Sequence, residues 1–141
     1  MCLFIRNLSN SALPEPQAMI LEGVNKKLKI ITGERDVVYR RPLYEAILFA
    51  AKKYKIAGAT VYKGLMSYGA DSLINHVKVF SISDERPVVI ELVDREERIT
   101  DFSEIAARLL KKAGSGGIIY IENVEVVSYA HSEITVSPKT I

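Results

Sequence analysis

The sequence predicts an α+β fold of ferredoxin-like type, an antiparallel sheet with two helices on one face. Three observations predict it. Short β-branched segments at Lys26–Thr32, Ile56–Lys63 and Pro87–Asp94 alternate with two stretches of helical periodicity, in the order strand, helix, strand, excursion, strand, helix, strand. The excursion, residues 64–86 (GLMSYGADSLINHVKVFSISDER), is long and polar and carries one further candidate strand. Connections beyond about 12–15 residues are uncommon and are usually functional or mobile. Finally, two helices can cover only one face, yet the strands carry Leu28 with Ile30, Ile31 with Ile119, and Val89 with Val93 on opposing faces. The second face is therefore expected to be buried against another subunit, with a monomer and a solvated face as the alternative.

Taken in order, Leu28 and Ile30 share one face of the first strand, and Gly33, Glu34, Arg35 and Asp36 end it in a polar turn. Pro42 suits a first helical turn, where its missing donor costs nothing. Leu43, Ile47, Ala50 or Ala51, and Tyr54 repeat at helical spacing, with Lys52, Lys53 and Lys55 near the favourable C-terminal end. Gly58 is expected to make a tight reversal into the second strand, where Ala59 and Val61 oppose Thr60 and Tyr62. After the excursion Val88, Ile90 and Leu92 alternate with Val89, Glu91 and Val93. Asp94 is read as the cap of the second helix, with Glu97 completing a capping box. Ile99, Phe102, Ala106, Leu109 and Leu110 form that helix's buried stripe, Lys111 and Lys112 close it, and glycines 114, 116 and 117 break it. IIYI and VEVVSY then read as two short strands separated by Glu122 and Asn123.

The 141 residues, 48% of them apolar, suffice for one core without disulfides or a structural metal. Pro14 and Pro16 make residues 1–23 a loosely held extension in which Met19 is an alternative start; residues 24–130 form the main domain and 131–141 a tail. A net charge of +2 spread along the chain does not point to nucleic acid. The single Cys2 cannot bridge internally, which fits a reducing, cytoplasmic setting. The segment after Met1 meets Arg6, Asn7 and Ser9 too soon for a secretory signal, and the apolar runs fall far short of the roughly 20 residues a membrane-spanning helix needs.

Glu34, Arg35 and Arg41 follow the first strand, and Lys63 and Gly64 end the second, so strand pairing brings them toward one rim. There they offer charge-assisted donors to a phosphate or carboxylate, or else pair among themselves through Glu34 or Asp36. Within the excursion Tyr68, Ser72, His76 and Lys78 are candidate partner-binding residues; Tyr62, Tyr68 and Phe80 can stack or simply pack. His76 can sense pH, join a metal site shared with a neighbouring subunit, or be an ordinary surface histidine. Arg95 and Arg98 belong to a solvent-facing helix start or reach across a subunit boundary. No zinc-ligand spacing occurs, Glu91 has no sequence-evident catalytic partner, and Ser67, Ser72, Ser81 and Ser83 lack a spaced base. A binding module is expected rather than an enzyme.

GERD, then RRPLYEAILFAAKKYKIAGATVYKGLMSYGA, then DERPVVIELVDREERI, in that order, resemble the PII-like proteins grouped as domain of unknown function 190, over residues 26–130. The resemblance implies the ferredoxin-like PII fold, a homotrimer with the three sheets facing inward, and small ligands, typically adenine nucleotides, in clefts between subunits. It implies that residues 64–86 are a signalling loop that meets a protein target. It also matches Ala113–Ile121 to a glycine-bearing loop that wraps phosphates, so that amides near Gly114, Gly116 and Gly117 form an anion nest; a flexible turn is the alternative. True PII loops carry a lysine where this chain has Gly117, and the basic residues that follow their last strand are replaced here by VSYAHSE. Triphosphate binding in the same manner is not expected. The reading is a regulatory or sensor protein for a small anionic metabolite, an adenine nucleotide or another small anion, with a metal-binding trimer and a non-catalytic structural or assembly protein as alternatives.

Overall fold

The computed structural model describes residues 21, 24–69 and 86–130. Strand β1 (Asn25–Gly33) is followed by a two-residue pair, β2 (Val37–Val38) and β3 (Arg41–Pro42), then helix α1 (Leu43–Tyr54) and strand β4 (Gly58–Lys63). Strand β5 (Pro87–Arg95), helix α2 (Glu96–Ala113) and strand β6 (Ile118–Val124) complete the order. The main sheet runs β4-β5-β1-β6, and every neighbouring pair is antiparallel. Together with two helices on one face, this is a ferredoxin-like α+β sandwich.

Register places the core. Leu28 lies opposite Leu92 and Ile30 opposite Ile90, while Thr32 meets Val88, so alternate residues of the two central strands share the helix-covered face. Onto it α1 lowers Leu43, Ile47 and Ala51, and α2 lowers Ile99, Phe102, Ala106 and Leu110, all buried. The Phe102 ring sits 5.8 Å from that of Tyr54, joining the two helices. Each large aliphatic or aromatic side chain taken from water here contributes on the order of 1.5–3 kcal/mol.

The polar turn after β1 is more structured than its sequence indicates. Tyr39 and Arg40 both stand at positive φ, 51° and 62°, the pattern of a type I′ turn, and they fold Val37–Val38 back on Arg41–Pro42. Val38 reaches the core from this hairpin, and the Leu43 amide donates to the Asp36 carbonyl at 2.7 Å.

Three local expectations are corrected. The reversal after α1 is made by Lys55 at φ 62°, with Ile56 donating to the Ala51 carbonyl, whereas Gly58 has no positive φ and no atom within 4 Å of a Cβ built on it. Gly58→Ala should therefore raise stability by about 0.4–1 kcal/mol through the unfolded chain, read as a higher urea midpoint.

Asp94 does not cap α2 through its side chain. β5 continues to Arg95, the N-cap residue, which makes no side-chain cap, and Asp94 turns to the covered face, fully buried. Its carboxylate accepts from the Ala57 amide at 3.0 Å, the Arg95 amide at 2.7 Å and Arg98 Nε at 2.9 Å. Arg98 Nη2 also donates to the Tyr54 and Lys55 carbonyls at 2.6 and 2.9 Å, so Arg98 is engaged within its own chain.

β6 is a single strand through Glu122 and Asn123, because these polar residues pair in register with Lys27 and Lys26. Lys26 Nζ donates to Asn123 Oδ1, and Lys27 Nζ lies 3.6 Å from Glu122. Residues 125–130 form no strand. They lead away from β6, and the Tyr129 hydroxyl donates to the Ala57 carbonyl at 2.7 Å, just before β4 on the opposite edge.

Candidate functional site

One end of the sheet gathers four chain segments: the end of β1, the end of β4, the start of β5 and the α2–β6 turn. Gly33 is in register with Pro87, Lys63 with Val88, and Ile31 with Ile118. Glu34 ties the first three together. Its amide donates to the Arg86 carbonyl at 3.0 Å, its Oε1 accepts from the Arg86 amide at 3.2 Å, and its Oε2 accepts from Lys63 Nζ at 2.6 Å. Both ends of the 64–86 connection are thus held by one carboxylate. Gly64 closes the base: its amide donates to the Pro87 carbonyl at 2.8 Å, and a Cβ there would come within 2.9 Å of the Pro87 ring.

The Glu34–Lys63 ion pair is the internal pairing allowed by the sequence, while Asp36 accepts instead from the Gly33 amide at 2.8 Å and shapes the turn. The bond from Lys63, then that from the Arg86 amide, holds the Glu34 carboxyl below its ordinary value of 4.5; Glu34 in turn raises Lys63 above 10.5. A lowered carboxyl adds stability that is fully present above its unfolded pKa and lost as pH falls through the folded one. For the raised lysine, stability is lost as pH rises through its folded value. The stability difference between wild type and Glu34→Gln, followed by urea denaturation, should therefore hold through neutral pH and shrink below the ordinary carboxylate range. A difference that grows on acidification would contradict this assignment.

At the β1–β6 side, Gly114 caps α2 at φ 67° and Ser115 donates back to the Leu110 carbonyl at 3.3 Å. Gly117 is seated on β1. A Cβ there would stand 2.7 Å from the Ile31 carbonyl oxygen and 3.2 Å from a Leu110 methyl, so this turn takes glycine for close approach to β1. Two buried hydroxyl oxygens at this end, Thr32 Oγ1 and Ser115 Oγ, have no hydrogen-bond partner among the described residues.

Of the residues expected at the rim, the structure brings Glu34, Lys63 and Gly64 into contact around Arg86 and Pro87, and sets the Gly114, Gly116 and Gly117 turn at the same end. Arg35 is exposed on the turn after β1. Arg41 does not join them: its guanidinium stacks 5.5 Å from the Phe49 ring on α1. Sequence reasoning missed Arg86, whose role is carried by its backbone, and the orphan hydroxyls, which have no sequence signal. Tyr68 is exposed, as are Leu65 and Met66 beside it; Ser72, His76 and Lys78 lie outside the described residues. Among the described residues there is no group of three metal-ligating side chains, and no helix is long and apolar enough to cross a membrane.

A family model described as DUF190, Uncharacterized ACR, matches residues 25–126. The chain belongs to the DUF190 family. It is 35% identical over 102 residues to a UPF0166 protein of Aquifex aeolicus, covering 72% of this chain and 92% of that one. A UPF0166 protein of Methanocaldococcus jannaschii is 35% identical over 101 residues, covering 72% and 90%. Among solved structures, CPII of Thiomonas intermedia K12 bound to ADP, AMP and acetate superposes with TM-score 0.53 at 17% identity, covering 74% of this chain and 90% of CPII. CPII bound to ADP, AMP and bicarbonate, a nitrogen regulatory PII-like protein, gives 0.52 at 17%, covering 74% and 89%. The DUF190 chain thus has the PII-like fold.

A second polar cluster of this DUF190 protein lies on the sheet face away from the helices. Glu91, without a partner in sequence terms, accepts from the Tyr62 hydroxyl at 2.8 Å and lies 3.2 Å from Lys29 and 3.8 Å from Lys27. The Tyr62 bond, ahead of those from the lysines, lowers the Glu91 pKa; Glu91 raises those of Lys29 and Tyr62. Lys29 also stands 5.8 Å from the Tyr120 ring. Ile31 and Val89 lie in register on this same face, beside Ile118, which is 53% exposed. It is a mixed surface with its charges already paired.

Proposed function

We propose that this DUF190 protein is a non-catalytic PII-like regulator or sensor. A homotrimer built on the exposed sheet face binds a small anionic metabolite between subunits and signals through residues 64–86 to a protein target. The observation that supports this reading is Glu34, a carboxylate that holds Lys63 and the Arg86 amide and so both ends of the connection. An anion that takes Lys63 from Glu34 unfastens that base, which gives the ligand differential affinity for two arrangements of the connection. CPII, of the same fold, holds ADP and AMP, which supports the adenine nucleotide class and extends the candidate set to bicarbonate. The seat for the anion comprises Lys63 with Arg35 beside Gly64, and the amides of Gly116 and Gly117 in the turn that Gly114 opens. Tyr68, Ser72, His76 and Lys78 are assigned to the partner; a metal-binding trimer would depend on His76.

Calorimetric titration with ADP, AMP and bicarbonate should show saturable binding of at least one, weakened about tenfold or more by Lys63→Ala, the loss of one charge-assisted contact. Absence of binding by all three would overturn the nucleotide and bicarbonate assignment. The trimer is tested separately. Glu91→Lys sets three lysines side by side on the proposed interface, and light scattering should show the mass falling from trimer to monomer. An unchanged mass would move the interface elsewhere.

A further inference from the structure

Leu48 and Phe49 are apolar residues that the core does not use. The buried stripe of α1 is Leu43, Ile47 and Ala51; Leu48 and Phe49 point outward, 38% and 57% exposed. They line a cleft of about 480 Å³ with Arg41, Glu45 and Lys52. Beside it the β2–β3 hairpin displays Tyr39, 63% exposed, with Lys112 of α2 stacked 4.9 Å from its ring. Arg40 is exposed at the hairpin tip, and two consecutive non-glycine residues there adopt positive φ, a conformation rare enough to raise the question of function.

The electrostatics of this strip are one-sided. Arg40, Arg41, Lys52 and Lys112 form no salt bridge among the described residues, and Glu45 is the sole carboxylate lining the cleft. Arg41 and Lys112 lie against aromatic rings and so remain available to a second partner. An apolar anchor position framed by unpaired cations is complementary to an apolar side chain flanked by carboxylates.

We infer that the α1 face and the β2–β3 hairpin together dock an acidic segment of another protein, which inserts an apolar side chain between Leu48 and Phe49. This surface is distinct from the Glu34 rim and from the exposed sheet face. It gives the protein a second contact that does not depend on the anion site.

The test uses the full chain and two synthetic helical peptides. Each carries leucine and phenylalanine one turn apart; one has glutamates around them and the other glutamines. In fluorescence anisotropy the glutamate peptide should bind at least about tenfold more tightly than the glutamine peptide, and added salt should weaken it. Phe49→Ser, at an exposed position, should leave the melting temperature and the mass in solution unchanged while weakening the peptide about tenfold. Arg41→Ala with Lys52→Ala should erase the preference for glutamate. No binding, equal binding of the two peptides, or full binding by Phe49→Ser overturns the proposal. So does a Phe49→Ser protein of lower mass, which would assign the strip to a second copy, or an oligonucleotide that binds where the peptide does not.

Discussion

Asp94→Ala is expected to lower stability by about 3–5 kcal/mol, the cost of removing one partner from a buried charged pair. The carboxylate is fully buried and closes three bonds at once, to the Ala57 and Arg95 amides and to Arg98. Its loss leaves the Ala57 amide without that acceptor and releases the guanidinium that holds the Tyr54 and Lys55 carbonyls at the end of α1. The measurement is urea denaturation of the single variants and of Asp94→Ala with Arg98→Ala. The double variant should be less destabilised than the sum of the two, because the second change removes a charge already stranded. A midpoint for Asp94→Ala within error of wild type would remove Asp94 from its place as the joint between α1, β4 and α2.

Gly117→Lys places the PII-type lysine in this chain. Its Cβ would meet the Ile31 carbonyl oxygen at 2.7 Å and a Leu110 methyl at 3.2 Å, and the first of these is backbone that cannot rotate away. The strand pairing of Ile31 with Ile118 must then shift, at a cost of about 1–3 kcal/mol typical of overpacking. The variant should melt several degrees lower and gain no affinity for ATP, since the added ammonium is delivered by a displaced turn. Thermal denaturation with an ATP titration checks both halves. Tighter ATP binding at unchanged stability would show that the turn accommodates the lysine and that a lysine at this position strengthens triphosphate binding.

The fold was legible where burial repeats with a period. Ile99, Phe102, Ala106 and Leu110 announce α2, and Val88, Ile90 and Leu92 announce β5, because each set must face the same core. What escaped was decided by partners remote in sequence. Asp94 and Glu97 have capping-box spacing, yet Asp94 is taken by Ala57 and turned inward. Tyr39 and Arg40 adopt positive φ without the asparagine or glycine that would signal it. At the site, Glu34 and Lys63 could be foreseen as neighbours from strand order. The removal of Arg41 to Phe49 could not, because a cation stacked on a ring leaves no mark in spacing.

The long connection leaves and rejoins the sheet between two strands that are hydrogen-bonded neighbours, with Gly64 bonded directly to Pro87. In polymer terms this makes it a closed ring on a fixed clasp. Doubling or halving such a ring changes the closure free energy by only about 0.6 kcal/mol. The closure cost consequently depends little on the length of the ring, provided Glu34, Lys63 and the Arg86 backbone keep the clasp shut. On the proposed function, exchanging residues 64–86 between family members as a cassette is expected to carry recognition with the insert and to leave the response to the anion with the scaffold.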